Sequence, residues 1–400
     1  MNVRNLRAAT AAFLIGGAMF GTTMVSAQTS VSSAVGRPLQ EARQLADSGK
    51  YREAMSRLDT AAAAAKTPAE NNVVNQMKQY VAVKSGDASI GGALGAKAKF
   101  AADAGAGRWR EVIAGGDGLR KNNALDAQSM LVIAQAYYKL SDAKGCMSYI
   151  RNNLGAGAGG ENGLQLLQRC AYDAHDEVAE RNALEQLVAR TGKPEYWASL
   201  LKLAERSRGL KDWNTLDLYR LKSLTGNLKT PDDVMTYAQI ALVRRVPAEA
   251  IMVVNKGVAD KILPANDRSN RLLKLATDRN TEANANAAKV RATANGDQLI
   301  EIGQQEVAQG KANEAIATIQ AGIAKKPSNP SDAQVRLGAA YLAAGQKPDA
   351  IRAFGAVKGN PADEMIAKLY TTFARSGMSA VVAAPDAGDD RSGRRGNRRR

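Results

Sequence analysis

The feature that most constrains this chain is a pattern that returns along it at a fixed interval. Near one end, Gln334-Val335-Arg336-Leu337-Gly338-Ala339-Ala340-Tyr341 is followed by Gly345, Ala350, Phe354 and Pro361. Before it, Leu299, Ile302-Gly303, Gly310, Ala315, Ile319 and Pro327 take the same places, and Glu306 stands where Tyr341 stands. Gly303 and Gly338 are 35 residues apart. Within each unit the apolar residues recur at helical spacing, and a glycine separates two such stretches, so the unit is a helix–turn–helix. One helix pair cannot bury its apolar stripe alone, so copies must stack into a continuous core.

The same ruler finds further units. Met130, Ile133-Ala134, Tyr137, Cys146 and Ile150 form one, and Leu164, Leu167-Gln168, Ala171, Leu184 and Leu187 follow at an offset of 34. Others start at Trp197 (with Leu200-Leu201 and Ala204) and at Val234 (with Tyr237-Ala238, Ala241, Ala250, Val254 and Gly257). Ala42, Leu45, Gly49, Ala54, Leu58 and Ala61 fit the frame, and Gly107 to Val112 echoes Gly49 to Ala54. This set resembles the tetratricopeptide repeat (TPR) pattern W-x2-L-G-x2-Y…A-x3-F…P, with its period of about 34 residues and with Gln334 in place of the tryptophan. The resemblance implies an all-α fold, a right-handed α-solenoid of stacked antiparallel helix pairs. Composition agrees with all-α: aromatics are 5% of the chain and no segment alternates apolar and polar residues as a strand does.

Two stretches depart from the ruler. Residues 86–107 are rich in Gly and Ala and read as a loop with at most a weak helix. Residues 265–295 are polar and read as a degenerate helical joint. The expected organisation is a signal peptide (1–27), an N-terminal TPR-like array (28–264), the joint (265–295), C-terminal TPR repeats (296–375) and a disordered Arg-rich tail (376–400).

The N-terminal reading rests on Arg4 and Arg7, an uncharged apolar stretch from Ala8 to Met24, and the small residues Val25-Ser26-Ala27. This is the three-part layout of a secretory signal peptide, and the apolar stretch is short for a permanent membrane span. The expected location is therefore the periplasm. Losing residues 1–27 removes two arginines and no acids, taking the formal net charge from +16 to +14. Part of the excess sits in the tail, in Arg394, Arg395, Arg398, Arg399 and Arg400. A basic exported chain meets anionic surfaces such as lipid head groups, lipopolysaccharide or peptidoglycan, and nucleic acid is not expected.

Residues suited to catalysis are few. The one histidine, His175, lies between Asp173 and Asp176 at a turn between two helices, where a solvated turn residue is the plainer reading than a metal corner. Gly91-Gly92-Ala93-Leu94-Gly95-Ala96-Lys97 lacks the order and the preceding strand of a phosphate-binding loop, and Gly155 to Gly160 lacks them too. Asp232-Asp233 follow Pro231 at a helix start and serve its dipole. No enzyme activity, cofactor or metal is expected. Cys146 and Cys170 fall on a second helix and the next first helix. They are either a disulfide or two small core residues.

What remains is the surface of such a superhelix. The resemblance implies a concave groove lined by first helices, whose outward residues include Gln135, Tyr138 and Lys139; Arg169 and Tyr172; Lys202 and Arg206; and Gln239. The expected function is a periplasmic scaffold or adaptor that holds a protein partner of the cell envelope. The alternative is a non-catalytic solenoid that binds peptidoglycan or an anionic polysaccharide.

Overall fold

A computed structural model describes residues 31–378. The proposed signal peptide and the arginine tail lie outside the described residues. Among those residues all regular structure is helical, in nineteen helices and no strand. Among the described residues no helix is long and apolar enough to cross a membrane.

The chain divides into two compact units, one up to Leu125 and one from Asp126 onward. The first holds α1 (Ser33–Asp47), α2 (Tyr51–Ala64), α3 (Pro68–Ser85), α4 (Ala88–Gly105) and α5 (Trp109–Lys121). Consecutive helices pack on one another, with Val35, Leu39, Ala42, Leu58 and Val74 among the core residues. The second unit begins with α6 (Ala127–Lys139), α7 (Ala143–Leu154), α8 (Glu161–Asp173), α9 (Glu177–Thr191), α10 (Pro194–Glu205) and α11 (Asp212–Leu224). It continues with α12 (Pro231–Val243), α13 (Pro247–Ala259), α14 (Asp267–Thr293), α15 (Gly296–Ala308) and α16 (Ala312–Ala324), and closes with α17 (Pro330–Ala343), α18 (Lys347–Gly355) and α19 (Pro361–Arg375).

Local chemistry sets the helix starts. Asp126, Asp142, Asp176, Thr230, Asn329 and Asn360 each accept a bond from an N–H of the first turn that would otherwise have no partner. The turn inside each pair is also one device used repeatedly. Gly49, Gly107, Ser141, His175, Arg245, Gly310 and Gly345 all have left-handed backbone, with φ from +56° to +78°. In each case the next residue's N–H donates to the carbonyl five residues back, as in Lys50 to Leu45 (2.8 Å), Asp142 to Tyr137 (2.9 Å) and Lys311 to Glu306 (2.9 Å). Gly107, Ser141, His175 and the left-handed Gly209 follow one another at intervals of 34 residues. The helix pairs of the two units are thus copies of one local plan, consistent with an α-solenoid. Small residues let paired helices approach: a Cβ on Gly303 would lie 2.4 Å from Ile319, and one on Gly338 would lie 2.4 Å from the Phe354 ring.

One segment differs from expectation. Residues 88–105 form helix α4 rather than a loop, bent at Gly92 (φ 53°, ψ −131°). The alanines there favour helix, and Gly91 packs so close to Ala82 that a Cβ would meet it at 2.6 Å. The stretch expected as a degenerate helical joint, 265–295, holds one long helix, the 27-residue α14.

In the second unit the helices do not simply run on. α19 returns to pack on α9 and α11, while α17 also packs on α15 and α19. Neighbour contacts therefore run from α11 through α12, α13, α15, α17 and α19 back to α11. One apolar cluster joins Trp197, Leu200 and Leu221 to Phe354, Tyr370 and Phe373.

Candidate functional site

The closed path of helices in the second unit surrounds a cavity of about 2110 Å³. α11 to α17 supply most of its wall, and Tyr370 of α19 completes it. Apolar patches come from Leu224, Ile251, Met252, Ile302 and Val307. The lining also carries carboxamides: Asn255 on α13, Asn280 and Asn284 on α14, and Gln298 and Gln305 on α15. A carboxamide both donates and accepts, so such a wall can pair with peptide groups or hydroxyls of a bound chain.

One side of the cavity is a buried ionic network. Arg336, 1% exposed, donates to Asp217 (Nη1 to Oδ1, 2.6 Å) and to Asp332 (Nε to Oδ1, 2.9 Å). Arg220 donates to both oxygens of Glu249 (2.7 and 2.6 Å), to Asp217 (3.1 Å) and to Gln304 (3.3 Å). The Tyr237 hydroxyl donates to Glu249 (2.7 Å) and that of Tyr370 to Asp217 (3.1 Å). Burial alone would lower both arginines, but Glu249 and Asp217 for Arg220, and Asp217 and Asp332 for Arg336, outweigh it and hold them above their usual range. Burial, reinforced by those carboxylates, pushes both tyrosines upward. The network therefore consists of fixed cations and neutral phenol donors, and it ties α11, α13, α17 and α19 together.

The part of the wall that α14 supplies is built differently. From Thr277 to Thr293, α14 buries no side chain. It meets α15 and the turn after it through Gln305 to Asn280 (2.6 Å) and Gln309 to Asn284 (3.0 Å). At its end Arg291 donates to Glu306 Oε1 and to Thr318 Oγ1 (3.1 Å). A smaller cavity of about 280 Å³ shares Glu301 and Gln304 with the large one. There the Arg244 guanidinium lies 5.6 Å over the Trp213 ring.

The residues anticipated as groove-lining occupy other surfaces. Gln135 and Lys139 on α6, Arg169 and Tyr172 on α8, Lys202 on α10, Arg206 just after it and Gln239 on α12 are exposed, and Tyr138 is half-buried. None of them lines either cavity. Cys146 and Cys170 are joined as a disulfide between α7 and α8, with Cα atoms 6.2 Å apart. His175 is exposed in the α8–α9 turn. No group of three or more His, Cys, Asp or Glu among the described residues is placed to hold a metal ion. Sequence reasoning missed the cavity residues, although one of them, Glu306, stood out as an acid at an aromatic's repeat position. No family model matches the chain, and no curated protein matches it.

Proposed function

We propose that this protein is a TPR-like scaffold or adaptor of the cell envelope, with the right-handed solenoid of that family. In this reading it is exported by its N-terminal segment and holds an extended stretch of a partner protein. The observation that carries the reading is the closed helical path around a cavity of about 2110 Å³. Small-molecule sites occupy roughly 300–1,000 Å³, so this volume suits a chain segment better than a metabolite. A lining that holds both carboxamides and apolar residues supports an extended peptide, which offers backbone donors and acceptors beside its side chains. The 34-residue spacing of the pair turns supports the family reading. The Arg-rich tail adds attraction to anionic surfaces that weakens as salt rises.

The test is site-specific photo-cross-linking in the native envelope. A photoreactive residue at Met252, inside the cavity, should give discrete protein adducts, while one at the exposed Gln239 should give none. Adducts from Gln239 alone would move the partner to the outer helix faces. Salt-resistant sedimentation with purified peptidoglycan, without any protein adduct at Met252, would replace the peptide by a saccharide.

A further inference from the structure

Glu306 occupies a place in its helix pair that Tyr137 and Tyr341 fill in theirs: its carbonyl closes the same turn. Its side chain is packed into the cavity wall, leaving the residue 8% exposed. One carboxylate oxygen, Oε1, accepts from Arg291, whereas the other, Oε2, is buried with no hydrogen-bond partner among the described residues. A carboxylate has about four acceptor positions, and leaving a buried one unmet is costly. The acceptor capacity at this point exceeds what the protein itself uses.

Acceptor and donor also differ in how firmly they are held. Glu306 is on α15 and Thr318 on α16, and that pair packs around Ile300, Ala315 and Ile319. Arg291 belongs to the half of α14 that buries no side chain, and it is itself 46% exposed. Of the other arginines that line the cavity, Arg220 and Arg336 are fully engaged by Asp217, Glu249 and Asp332, and Arg245 pairs with Glu301. A rigid acceptor pair thus faces a guanidinium fork mounted on the weakest wall.

We infer that Glu306 and Thr318 form a subsite for a cationic side chain of the bound segment, and that Arg291 fills it in the unliganded protein as an internal stand-in. This rests on the cavity being the binding site. It assigns the ligand's chemistry: a basic peptide stretch, whose guanidinium or ammonium group displaces Arg291 and reaches both oxygens of Glu306. Displacing Arg291 removes the tie at the end of α14 and leaves Gln305–Asn280 and Gln309–Asn284 as the bonds that still hold this stretch, so filling the subsite loosens the wall.

The experiment uses full-length protein and a fluorescein-labelled Gly-Arg-Gly-Arg-Gly peptide. Arg291→Ala removes the competitor and should bind the peptide at least about tenfold more tightly than wild type by fluorescence anisotropy. Adding Glu306→Gln should abolish that gain. Nα-acetyl-argininamide at millimolar concentration should raise the melting temperature of Arg291→Ala and leave the double variant unchanged. Equal peptide binding by Arg291→Ala and the double variant overturns the inference, as does binding no tighter than wild type. If Arg291→Ala does not fold, Arg291→Lys serves: it keeps the charge and loses the fork, so the peptide should bind it more tightly than wild type, and no gain counts against the subsite. Persistence of Met252 cross-links alongside such a failure would remove only the subsite; loss of both would remove the cavity reading as well.

Discussion

Arg336 is among the largest side chains wholly buried in the fold, and its value depends on keeping its pairing with Asp217. Asp217 is 0% exposed and has no access to water if the guanidinium is taken away. Breaking a buried pair by removing one member costs about 3–5 kcal/mol, mainly through the charge left behind. Arg336→Leu should therefore lose stability by roughly that amount in urea denaturation; a loss below about 1 kcal/mol would mean the network is solvated in practice. Asp332 is the dispensable member. Two arginines face the three carboxylates of Asp217, Glu249 and Asp332, so the site carries one acid more than it can neutralise. Burial pushes Asp332 above its ordinary value of 3.8 although Arg336 pulls it back. The folded protein thus holds this proton more tightly than the unfolded chain. The group's contribution is fully present below 3.8 and is lost as pH rises through the raised folded value. Asp332→Asn keeps an acceptor for Arg336 and removes that loss. It should stay within about 1 kcal/mol of wild type at neutral pH and flatten the fall in stability above pH 4.

At the scale of the elements, one carboxylate anchors the start of two helices in the first unit. Glu70 of α3 accepts from the N–H of Ser32 (3.0 Å), which caps α1, and from the N–H groups of Lys66 (2.9 Å) and Thr67 (3.2 Å). The bond from the Ser32 hydroxyl comes first among the causes that hold its pKa at about 2, followed by the backbone donors at Lys66 and Ser32. A depressed folded value means stability that is present above the ordinary 4.5 and is lost as pH falls toward 2. Glu70→Gln should therefore lower the melting temperature at pH 7, with the gap to wild type closing as pH falls through that window. A gap that does not change with pH would show that the carboxylate charge is not what ties α1 to α3. Thr67 and Glu70 spell a capping box in the sequence, but the reach to Ser32, 38 residues earlier, has no local signature. Legibility divides along the same line elsewhere. Pair turns and apolar stripes were readable because they are set within a few residues, as at Gly310 and Gly345. Helix α4 was not, because its glycines announce flexibility while their use is the close contact of Gly91 with Ala82. Glu306 was visible as a departure from the pattern, yet only the fold shows what surrounds it.

On the scale of the whole molecule, each unit buries a core of its own, and in the second unit the core depends on residues far apart in sequence. The Arg336–Asp217 contact spans 119 positions and the Tyr370–Asp217 contact 153, separations that no periodicity can reveal. The repeat spacing therefore reads as an α-solenoid, while the closed path of helices within the second unit is set by these distant contacts. The two architectures answer deletion differently. In an open stack each repeat touches only its neighbours, so losing the last helix removes one interface. Here α19 also covers the middle of its unit: Phe373 lies 6.1 Å from the Trp197 ring, and Asp363 accepts from Trp213 Nε1 (3.1 Å) and Asn214 (2.6 Å). A chain ending at Asn360 should thus lose more than its end. Trp197, 0% exposed in the intact fold, would gain access to water, and Trp213 would lose its acceptor. Of the three tryptophans, Trp109 belongs to the first unit and serves as an internal reference. Tryptophan emission should shift to the red on truncation, and amides of α9 to α11 should exchange faster with deuterium than in the full chain. Unchanged emission, with faster exchange confined to α17 and α18, would return the second unit to an open stack and leave its cavity without the wall that closes it.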